Sequence, residues 1–246
     1  MNDGADRERV YFRQLLSGRD FAVGDPIATQ MVNFAYAIGD RDSRQCVLVD
    51  PAYAVDDLVD IVEADGMDVV GVLATHYHPD HVGGSMMGHD IDGVARLLER
   101  VQCPIHVQAD EAPWVQRTAG VGEADLVAHE PGDVVTVGGV DITLVHTPGH
   151  TPGSQCFLVD GRLVAGDTLF LEGCGRTDLP GADASAMFDS LRTLAELPAT
   201  TVLFPGHRYS LASSATMDAV TSQNYVFKPE TKAQWLSMFA GHDVRG

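Results

Sequence analysis

Short apolar runs and apolar residues at helical spacing alternate along the first third of the chain. Apolar runs at residues 31–38, 46–50 and 69–74 have the length and the bounding turns of buried strands. The polar turn at 39–42 predicts that the first two runs form a hairpin. Four apolar residues recur three or four positions apart from Val55 onward and predict a helix before the third strand. This part of the chain is therefore predicted to be strand-rich, with one helix.

The rest of the chain continues the same mixture of elements. In order, we predict an edge strand at 10–15, a loop or broken helix start at 85–90, a helix at 94–101, a strand at 104–107, a helix at 109–115, a loop at 118–133, a hairpin of 133–137 with 140–145, and strands at 155–159, 163–167 and 201–204. Apolar residues at helical spacing from Met187 to Leu194 predict another helix, with Asp183 as its amino-terminal cap. The tail, about residues 211–246, is predicted to be helical and broken near Pro229.

Two strand-rich halves with helices between and around them are typical of two packed sheets flanked by helices. We therefore predict an α/β fold in which a single domain spans residues 1–246. With 45% hydrophobic and 21% charged residues, the composition is that of an ordinary globular protein.

The charge of the chain narrows the range of partners. Its formal net charge of −19 comes from 35 acidic against 16 basic residues, which argues against nucleic acid because such a surface repels phosphate backbones. No apolar stretch has the length of a membrane-spanning helix, so no membrane partner is expected. The polar segment 1–6 lacks an apolar signal core, which predicts a cytoplasmic location.

The four cysteines show no close pairing motif, and a chain of this size needs no disulfide framework. Cys46 and Cys156 lie inside apolar runs and are predicted to be core residues. Cys174 is flanked by glycines, and a packing role is the favoured interpretation.

The candidate chemistry is concentrated in the segment 75–84, Thr-His-Tyr-His-Pro-Asp-His-Val-Gly-Gly, directly after a predicted buried strand. Side chains alternate along extended backbone, so His76 and His78 can point the same way. Asp80 and His81 follow at the turn after Pro79. Neutral imidazole and carboxylate are ligands that suit zinc, iron or manganese, and burying so many polar groups without a shared partner is costly. This segment therefore predicts a metal site.

Three further strand-like runs end in ligand-capable residues. The first ends in Pro148-Gly149-His150, the second at Asp167 and the third in Pro205-Gly206-His207. Strand ends that converge on one edge of a sheet are where a rigid scaffold presents a site. His89, by contrast, is predicted to be exposed.

The motif in segment 75–84 resembles the metallo-β-lactamase superfamily, and within it the glyoxalase II branch of hydroxyacylglutathione hydrolases and persulfide dioxygenases. The resemblance covers about residues 30–210 and implies a four-layer αββα sandwich of two mixed sheets flanked by helices. It also implies two divalent metals, with zinc as the first choice and iron or manganese as alternatives. The implied ligands are His76, His78 and His150 for one metal, Asp80, His81 and His207 for the other, and Asp167 as the bridge between them.

The activity that this resemblance implies is hydrolysis of a thioester of a low-molecular-weight thiol by a water that the metals activate. Asp80 is then the expected catalytic residue, as a ligand that also orients this water. Gly173-Cys174-Gly175-Arg176 matches a glyoxalase II motif in which the basic residue contacts substrate, and Tyr209 matches a second substrate contact. The expected partner is a small-molecule thiol conjugate, and the expected state a monomer or homodimer. A surface salt bridge is the alternative interpretation of Arg176.

Two other functions remain open at this stage. The stretch 175–178, Gly-Arg-Thr-Asp, resembles short glyoxalase II-like proteins and persulfide dioxygenases, in which a single iron is held at the positions of His76, His150 and Asp167. The long basic tail of full-length glyoxalase II is also shortened here, leaving Lys228, Lys232 and Arg245. A non-enzymatic, metal-stabilised binding module is less favoured, since structural zinc sites are closed and often cysteine-rich. Beyond the fold, nothing indicates a lactamase.

Overall fold

The computed structural model of the chain describes residues 9–239. The strands are β1 Val10–Leu16, β2 Phe34–Asp40, β3 Gln45–Val49, β4 Asp68–Leu73, β5 Gly84–Met86, β6 His89–Ile91, β7 Ile105–Gln108, β8 Leu126–His129, β9 Val134–Val137, β10 Val140–His146, β11 Gln155–Val159, β12 Arg162–Val164, β13 Val202–Phe204 and β14 Ala215–Thr216. The α-helices are Pro26–Met31, Val55–Ala64, Pro79–Val82, Val94–Arg100, Ala112–Ala119, Ala184–Ala195, Met217–Gln223 and Lys232–Phe239, and two 3₁₀-helices lie at Glu123–Asp125 and Tyr225–Phe227.

Twelve of the strands form two six-stranded mixed sheets. The first has the order β1-β2-β3-β4-β7-β8, antiparallel over its first three strands and parallel from β3 to β8. The second has the order β14-β13-β12-β11-β10-β9 and is antiparallel except where β12 runs parallel to β13. Strands β5 and β6 form a separate hairpin.

Three hydrophobic clusters show how the layers stack. The central cluster joins the facing sides of the two sheets, with Ile38 and Val49 from the first sheet against Ile142 and Phe157 from the second. A second cluster packs the helices Val55–Ala64, Val94–Arg100 and Ala112–Ala119 on the outer face of the first sheet. A third packs the helices after residue 183 on the outer face of the second sheet, with Trp235 fully buried. The predicted four-layer αββα sandwich of two mixed sheets is confirmed.

Several sequence-based boundaries are also confirmed. Asp183 caps the helix Ala184–Ala195, its carboxylate accepting from the backbone N–H groups of Ser185 and Ala186. Cys46 and Cys156 are buried in the core. In the described part of the tail, residues 211–239, helices lie on both sides of a break around Pro229, and β14 precedes the first of them.

Other predictions were wrong for identifiable reasons. Residues 118–133 are not all loop, because β8 forms there by parallel pairing with β7, a tertiary contact that the acid-rich sequence does not reveal. Residues 85–90 are neither a loop nor a helix start but the hairpin of β5 and β6, whose turn places Met87 and Gly88 at positive φ. The helix Pro26–Met31, capped by Asp25, was not predicted. Strand β12 ends at Val164, three residues earlier than expected.

Some predictions fall outside the described residues. These are the polar segment 1–6 and the last part of the tail, including Arg245. The single domain over 1–246 therefore stays a prediction. Across residues 9–239, no helix combines the length and apolar character needed to cross a membrane.

Candidate metal centre

All seven predicted metal ligands follow the ends of strands, and the two sheets bring these ends together. Strand β4 leads into His76 and His78, and the short helix Pro79–Val82 carries Asp80 and His81. His150 follows β10, Asp167 follows β12 and His207 follows β13. The site therefore lies at one edge of the sandwich, between the two sheets.

One group of three ligand atoms comes from His76, His78 and His150. The Nδ1 atom of His78 lies 3.1 Å from Nε2 of His76 and 3.0 Å from Nε2 of His150. The three ligand atoms lie within 4.8 Å of one another, a spacing at which they could hold one metal ion. His76 and His150 are buried and His78 is half-buried.

A second group of three comes from Asp80, His81 and His207. The Nε2 atoms of the two histidines are 3.2 Å apart, and Oδ2 of Asp80 lies 3.6 Å from His81 Nε2 and 3.4 Å from His207 Nε2. Asp167 lies between the two groups. Its Oδ2 is 3.7 Å from Nε2 of His150 and 3.3 Å from Nε2 of His207, and its Oδ1 is 3.4 Å from Nε2 of His81.

The hydrogen bonds on the outer side of the rings determine which nitrogen atoms face the site. Nδ1 of His150 lies 2.8 Å from the carbonyl oxygen of Arg176, and Nδ1 of His207 lies 2.8 Å from that of Met31. A carbonyl oxygen only accepts, so each Nδ1 carries the proton and each Nε2 directs a lone pair inward. Converging lone pairs about 3 Å apart repel one another unless a cation lies between them, so this donor set fits metal ions.

The electrostatics of the site also favour a cation. Burial lowers the pKa of His81, but the carboxylates of Asp167, Asp80 and Asp50 outweigh burial and raise it to about 10. Oδ1 of Asp167 is buried without a hydrogen-bond partner in the described structure. Such an orphaned carboxylate oxygen is costly unless a positive charge compensates it, and metal ions at this position would do so.

Two histidines of the first group, His76 and His78, have pKa values below the usual range. Burial, followed by the neighbouring imidazoles, holds the pKa of His76 well below its usual value. Burial and the adjacent His150 lower the pKa of His78 to about 4. Both side chains are therefore in the deprotonated form that binds metal at neutral pH.

Asp50 is a residue of the site that the sequence analysis missed. Its carboxylate accepts from the backbone N–H of Thr75 at 2.7 Å, from Thr75 Oγ1 at 2.6 Å and from His81 Nδ1 at 2.8 Å. It also forms a group of potential ligands with His76 and His81, but its oxygens are already engaged, so it orients His81. Its position directly after β3 was the available signal, since the predicted ligands also follow strand ends.

Glu111 was missed because it lies in a predicted short helix, where a charged residue is ordinarily solvated. It is fully buried, and its carboxylate accepts from Tyr77 N at 2.7 Å, Gly153 N at 2.7 Å and Thr151 Oγ1 at 2.8 Å. Glu111 thereby joins the loop that carries His76 to the loop that follows His150. Burial raises the pKa of Glu111 to about 7.

Asn33 supports the other side of the site and was also missed. Its Nδ2 donates to the backbone oxygen of Asp80 at 3.0 Å and to Oδ2 of Asp80 at 3.1 Å. The phenol of Tyr53 donates to Oδ1 of Asn33, which defines the orientation of the amide. The carboxylate of Asp80 is therefore held in one orientation.

A cleft of about 570 Å³ opens above the ligands, and both predicted substrate contacts line it. The ring of Tyr209 stacks on His207 with 4.8 Å between ring centroids. Arg176 is exposed and donates two hydrogen bonds to Asp178, at 2.8 and 2.9 Å, so it forms the surface ion pair that was the alternative interpretation. Cys174 also lines the cleft, but burial raises the pKa of its thiol to about 12, in keeping with a packing role.

His89 is exposed, as predicted.

Comparison with known families supports the picture that the ligands suggest. The family model described as the metallo-beta-lactamase superfamily matches residues 28–207, which include all seven ligand positions. This chain belongs to the metallo-beta-lactamase superfamily. The resemblance inferred from the histidine motif is confirmed.

Among curated members of the superfamily, two similar relatives are named as hydrolases. The probable polyketide biosynthesis zinc-dependent hydrolase BaeB of Bacillus velezensis is 30% identical over 207 residues, which cover 83% of this chain and 86% of BaeB. A hydroxyacylglutathione hydrolase of Xanthomonas campestris is 36% identical over 183 residues, or 74% of this chain. That match spans only 64% of the Xanthomonas enzyme, slightly less than two thirds of its length.

Among solved structures of the superfamily, ETHE1 from Myxococcus xanthus superposes with a TM-score of 0.76 at 27% identity. The superposition covers 94% of this chain and 90% of ETHE1. The four-layer arrangement is thus shared along nearly the whole chain.

Proposed function

We propose that this protein is a metal-dependent hydrolase that cleaves a thioester of a low-molecular-weight thiol. The observation that carries the proposal is the pair of three-ligand groups, with Asp167 between them, at the floor of a cleft large enough for a small molecule. The similarity to hydroxyacylglutathione hydrolases supports this choice of substrate class.

The proposed cofactors are two divalent metals. His76, His78 and His150 would hold one, Asp80, His81 and His207 the other, and Asp167 would contact both. Zinc is the first choice, since neutral imidazole and carboxylate suit it and since BaeB is described as zinc-dependent, and iron or manganese are alternatives. When bound there, such metals would lower the pKa of a water molecule and would polarise the thioester carbonyl.

Asp80 is the proposed catalytic residue. Its carboxylate oxygens accept hydrogen bonds, and Asn33 holds one of them beside His81 and His207, so Asp80 can orient the attacking water by accepting a hydrogen bond from it. The leaving thiolate needs no strong acid, because a thiol has a pKa of about 8.5.

Tyr209 and Arg176 are the proposed substrate contacts. Burial, followed by Asp167 and Asp80, raises the pKa of Tyr209 above its usual value, so its phenol keeps its proton and can donate to substrate. Arg176 lines the rim of the cleft. We propose a small thiol conjugate as the partner of a cytoplasmic monomer or homodimer, without nucleic acid or membrane.

The test is whether protein loaded with two equivalents of zinc hydrolyses acyl-thiol conjugates. Hydrolysis is measured by the release of free thiol. We expect the native protein to turn over, and we expect His150→Ala to lower the activity more than about a hundredfold. The reason is that losing even a group that only hydrogen-bonds to a metal ligand lowers metal affinity or activity tenfold or more. His89→Ala is the matched control and should keep full activity, because His89 is exposed and is not one of the residues that line the cleft. Turnover that survives His150→Ala would contradict the proposal.

A mononuclear iron persulfide dioxygenase is the second candidate, with iron on His76, His150 and Asp167. Two histidines and a carboxylate form the facial triad of non-haem iron oxygenases. The structural similarity to ETHE1 favours this candidate. Oxygen consumption with a thiol persulfide by iron-loaded protein would support it. Asp80→Asn separates the two activities, since it should impair a dinuclear hydrolase much more than a mononuclear iron enzyme.

A further inference from the structure

The walls of the cleft differ in character from its floor. The floor consists of the imidazoles and carboxylates described above. The walls are formed largely by apolar side chains, namely Met31, Met86, Met87, Phe170, Leu179 and Tyr225. A substrate that reaches the ligands must therefore pass along an apolar surface.

Part of this apolar surface is open to solvent. Met87, at the tip of the hairpin of β5 and β6, is 91% exposed, Tyr209 is 55% exposed and Tyr225 is 52% exposed. All three line the same cleft. Large apolar side chains grouped at the rim of a cleft are typical of a binding surface for an apolar group, and methionine adapts its shape to what it binds.

The same walls offer little to a substrate that carries several carboxylates. Among the described residues that line the cleft, Arg176 is the only lysine or arginine, and Asp178 already balances its charge through two hydrogen bonds. Glu172 adds an exposed negative charge to the wall. Of the basic residues in the tail, Lys228 donates to the carbonyl oxygen of Ser222, and Lys232 pairs with Asp189 away from the cleft.

We propose that the cleft takes thioesters with an apolar acyl chain on an uncharged thiol, in preference to conjugates of a carboxylate-rich thiol such as glutathione. The inference rests on the proposed thioester hydrolysis and narrows its substrate class. The acyl chain lies along the methionine and tyrosine side chains, and the thiol part meets a wall whose described residues include no unpaired lysine or arginine. The reaction is ordinary hydrolysis, in which water adds an OH group to the acyl carbon and a proton to the departing sulfur.

The first experiment compares matched thioesters with zinc-loaded protein. One series carries acyl chains from acetyl to octanoyl on N-acetylcysteamine, an uncharged thiol, and the other carries the same chains on glutathione. Each fully buried methylene strengthens binding about fourfold. With six added methylenes only partly buried, we expect kcat/KM to rise about thirtyfold from acetyl to octanoyl. We also expect the uncharged thiol to be preferred at each chain length.

The outcomes separate this inference from the proposed function. If no thioester of either series is hydrolysed, the proposed function fails. If glutathione conjugates are preferred, or if chain length has no effect, hydrolysis stands and this inference is overturned.

The second experiment needs no turnover. Binding of the non-hydrolysable S-octyl and S-methyl thioethers of N-acetylcysteamine to metal-free protein is measured by calorimetry, and the octyl compound should bind at least about tenfold more tightly.

Met87→Asn removes an apolar wall residue at a position whose positive φ asparagine tolerates, and it should weaken octyl binding several-fold. Met238→Asn is the control, because Met238 is also exposed, at 60%, and does not line the cleft. Equal binding of both thioethers, or equal loss in both variants, would refute the inference.

Discussion

Glu111 shows how a single side chain organises the metal centre without being one of the proposed ligands. Its carboxylate accepts hydrogen bonds from two backbone N–H groups and one hydroxyl on two separate loops. Because these loops contain or adjoin His76 and His150, the position of Glu111 affects two ligands of the same group.

Glu111→Gln should therefore weaken the site. The amide NH₂ group replaces an oxygen that accepts hydrogen bonds, so two buried donors would face each other. We expect this to lower the unfolding free energy by about 2 kcal/mol and to reduce zinc affinity about tenfold or more. Zinc affinity and denaturant unfolding should be measured at pH 8, above the pKa of about 7, where the native carboxylate is ionised. Glu123→Gln, an exposed acidic residue, should leave both quantities unchanged. Unchanged zinc affinity in Glu111→Gln would show that the loops hold their positions independently.

Gly206, next to the proposed ligand His207, is required because there is no room for a side chain, and not because of its backbone angles. A Cβ atom at this position would lie 2.4 Å from Oδ1 of Asp167 and 2.9 Å from the backbone of Gly166. Gly206→Ala should displace Asp167 and reduce the bound metal measured by elemental analysis. In Gly122→Ala the atom nearest to the added Cβ is Oδ2 of Asp125, at 3.2 Å on the surface, so metal content should not change. Full metal content in Gly206→Ala would mean that Asp167 is dispensable for binding.

At the scale of elements, Asp40 ties the end of β2 to the turn between β9 and β10, and thus one sheet to the other. Its buried carboxylate accepts from Arg9 at 2.8 and 2.9 Å and from the backbone N–H of Gly139 at 2.7 Å. The hydrogen bonds from Arg9, followed by those from the backbone, hold the pKa of Asp40 well below its usual value.

Asp40→Asn should lower the unfolding free energy at pH 7 by about 2 kcal/mol. Because the pKa of Asp40 is lower in the folded than in the unfolded state, its stabilisation is present above about pH 4 and is lost as the pH falls further. Denaturant unfolding at pH 7 and pH 3 should therefore show a difference between variant and native protein that shrinks at the lower pH. Asp42→Asn, with a side chain 76% exposed, should cost less than about 1 kcal/mol at either pH. A constant difference across this range would contradict a role for the ionised carboxylate.

At the scale of the whole molecule, the proposed ligands come from both sheets. His76, His78, Asp80 and His81 follow a strand of the first sheet, whereas His150, Asp167 and His207 follow strands of the second. Bound metals should therefore stabilise the whole sandwich and not only the loops.

Removing the metals should lower the thermal stability. At a free metal concentration about a thousand times the Kd, binding stabilises the folded state by about 4 kcal/mol, which corresponds to about 8–16 °C in Tm for a chain of this size. Calorimetry of zinc-loaded protein with and without a chelator measures this shift. His150→Ala should show a clearly smaller shift, and His89→Ala the full one. No change in Tm on chelation of the native protein would contradict metal binding across the two sheets.

The spacing of apolar residues was sufficient to predict much of the fold, because most of the strands and helices bury one continuous apolar surface. The runs before His76 and His207 are strands, and the spacing of Met187 and Leu191 marks a helix, as expected. Strand β8 escaped prediction, since it is an edge strand with half-exposed residues and is formed by its pairing with β7. The hairpin of β5 and β6 escaped prediction because its strands are only three residues long.

By itself, the sequence identified the candidate ligands, because histidine and aspartate cluster in the segment 75–84 and recur after further predicted strands, and it determined the alternation of elements that builds the sandwich. Only the tertiary structure decided that Asp50, Glu111 and Asn33 support these ligands, and that the charge of Arg176 is balanced by Asp178. For the three supporting residues, the physical reason is distance along the chain. Glu111 lies 34 residues from Tyr77, across the first sheet, and 42 from Gly153, between two strands of the second sheet, and contacts of that separation exist only once the chain has folded.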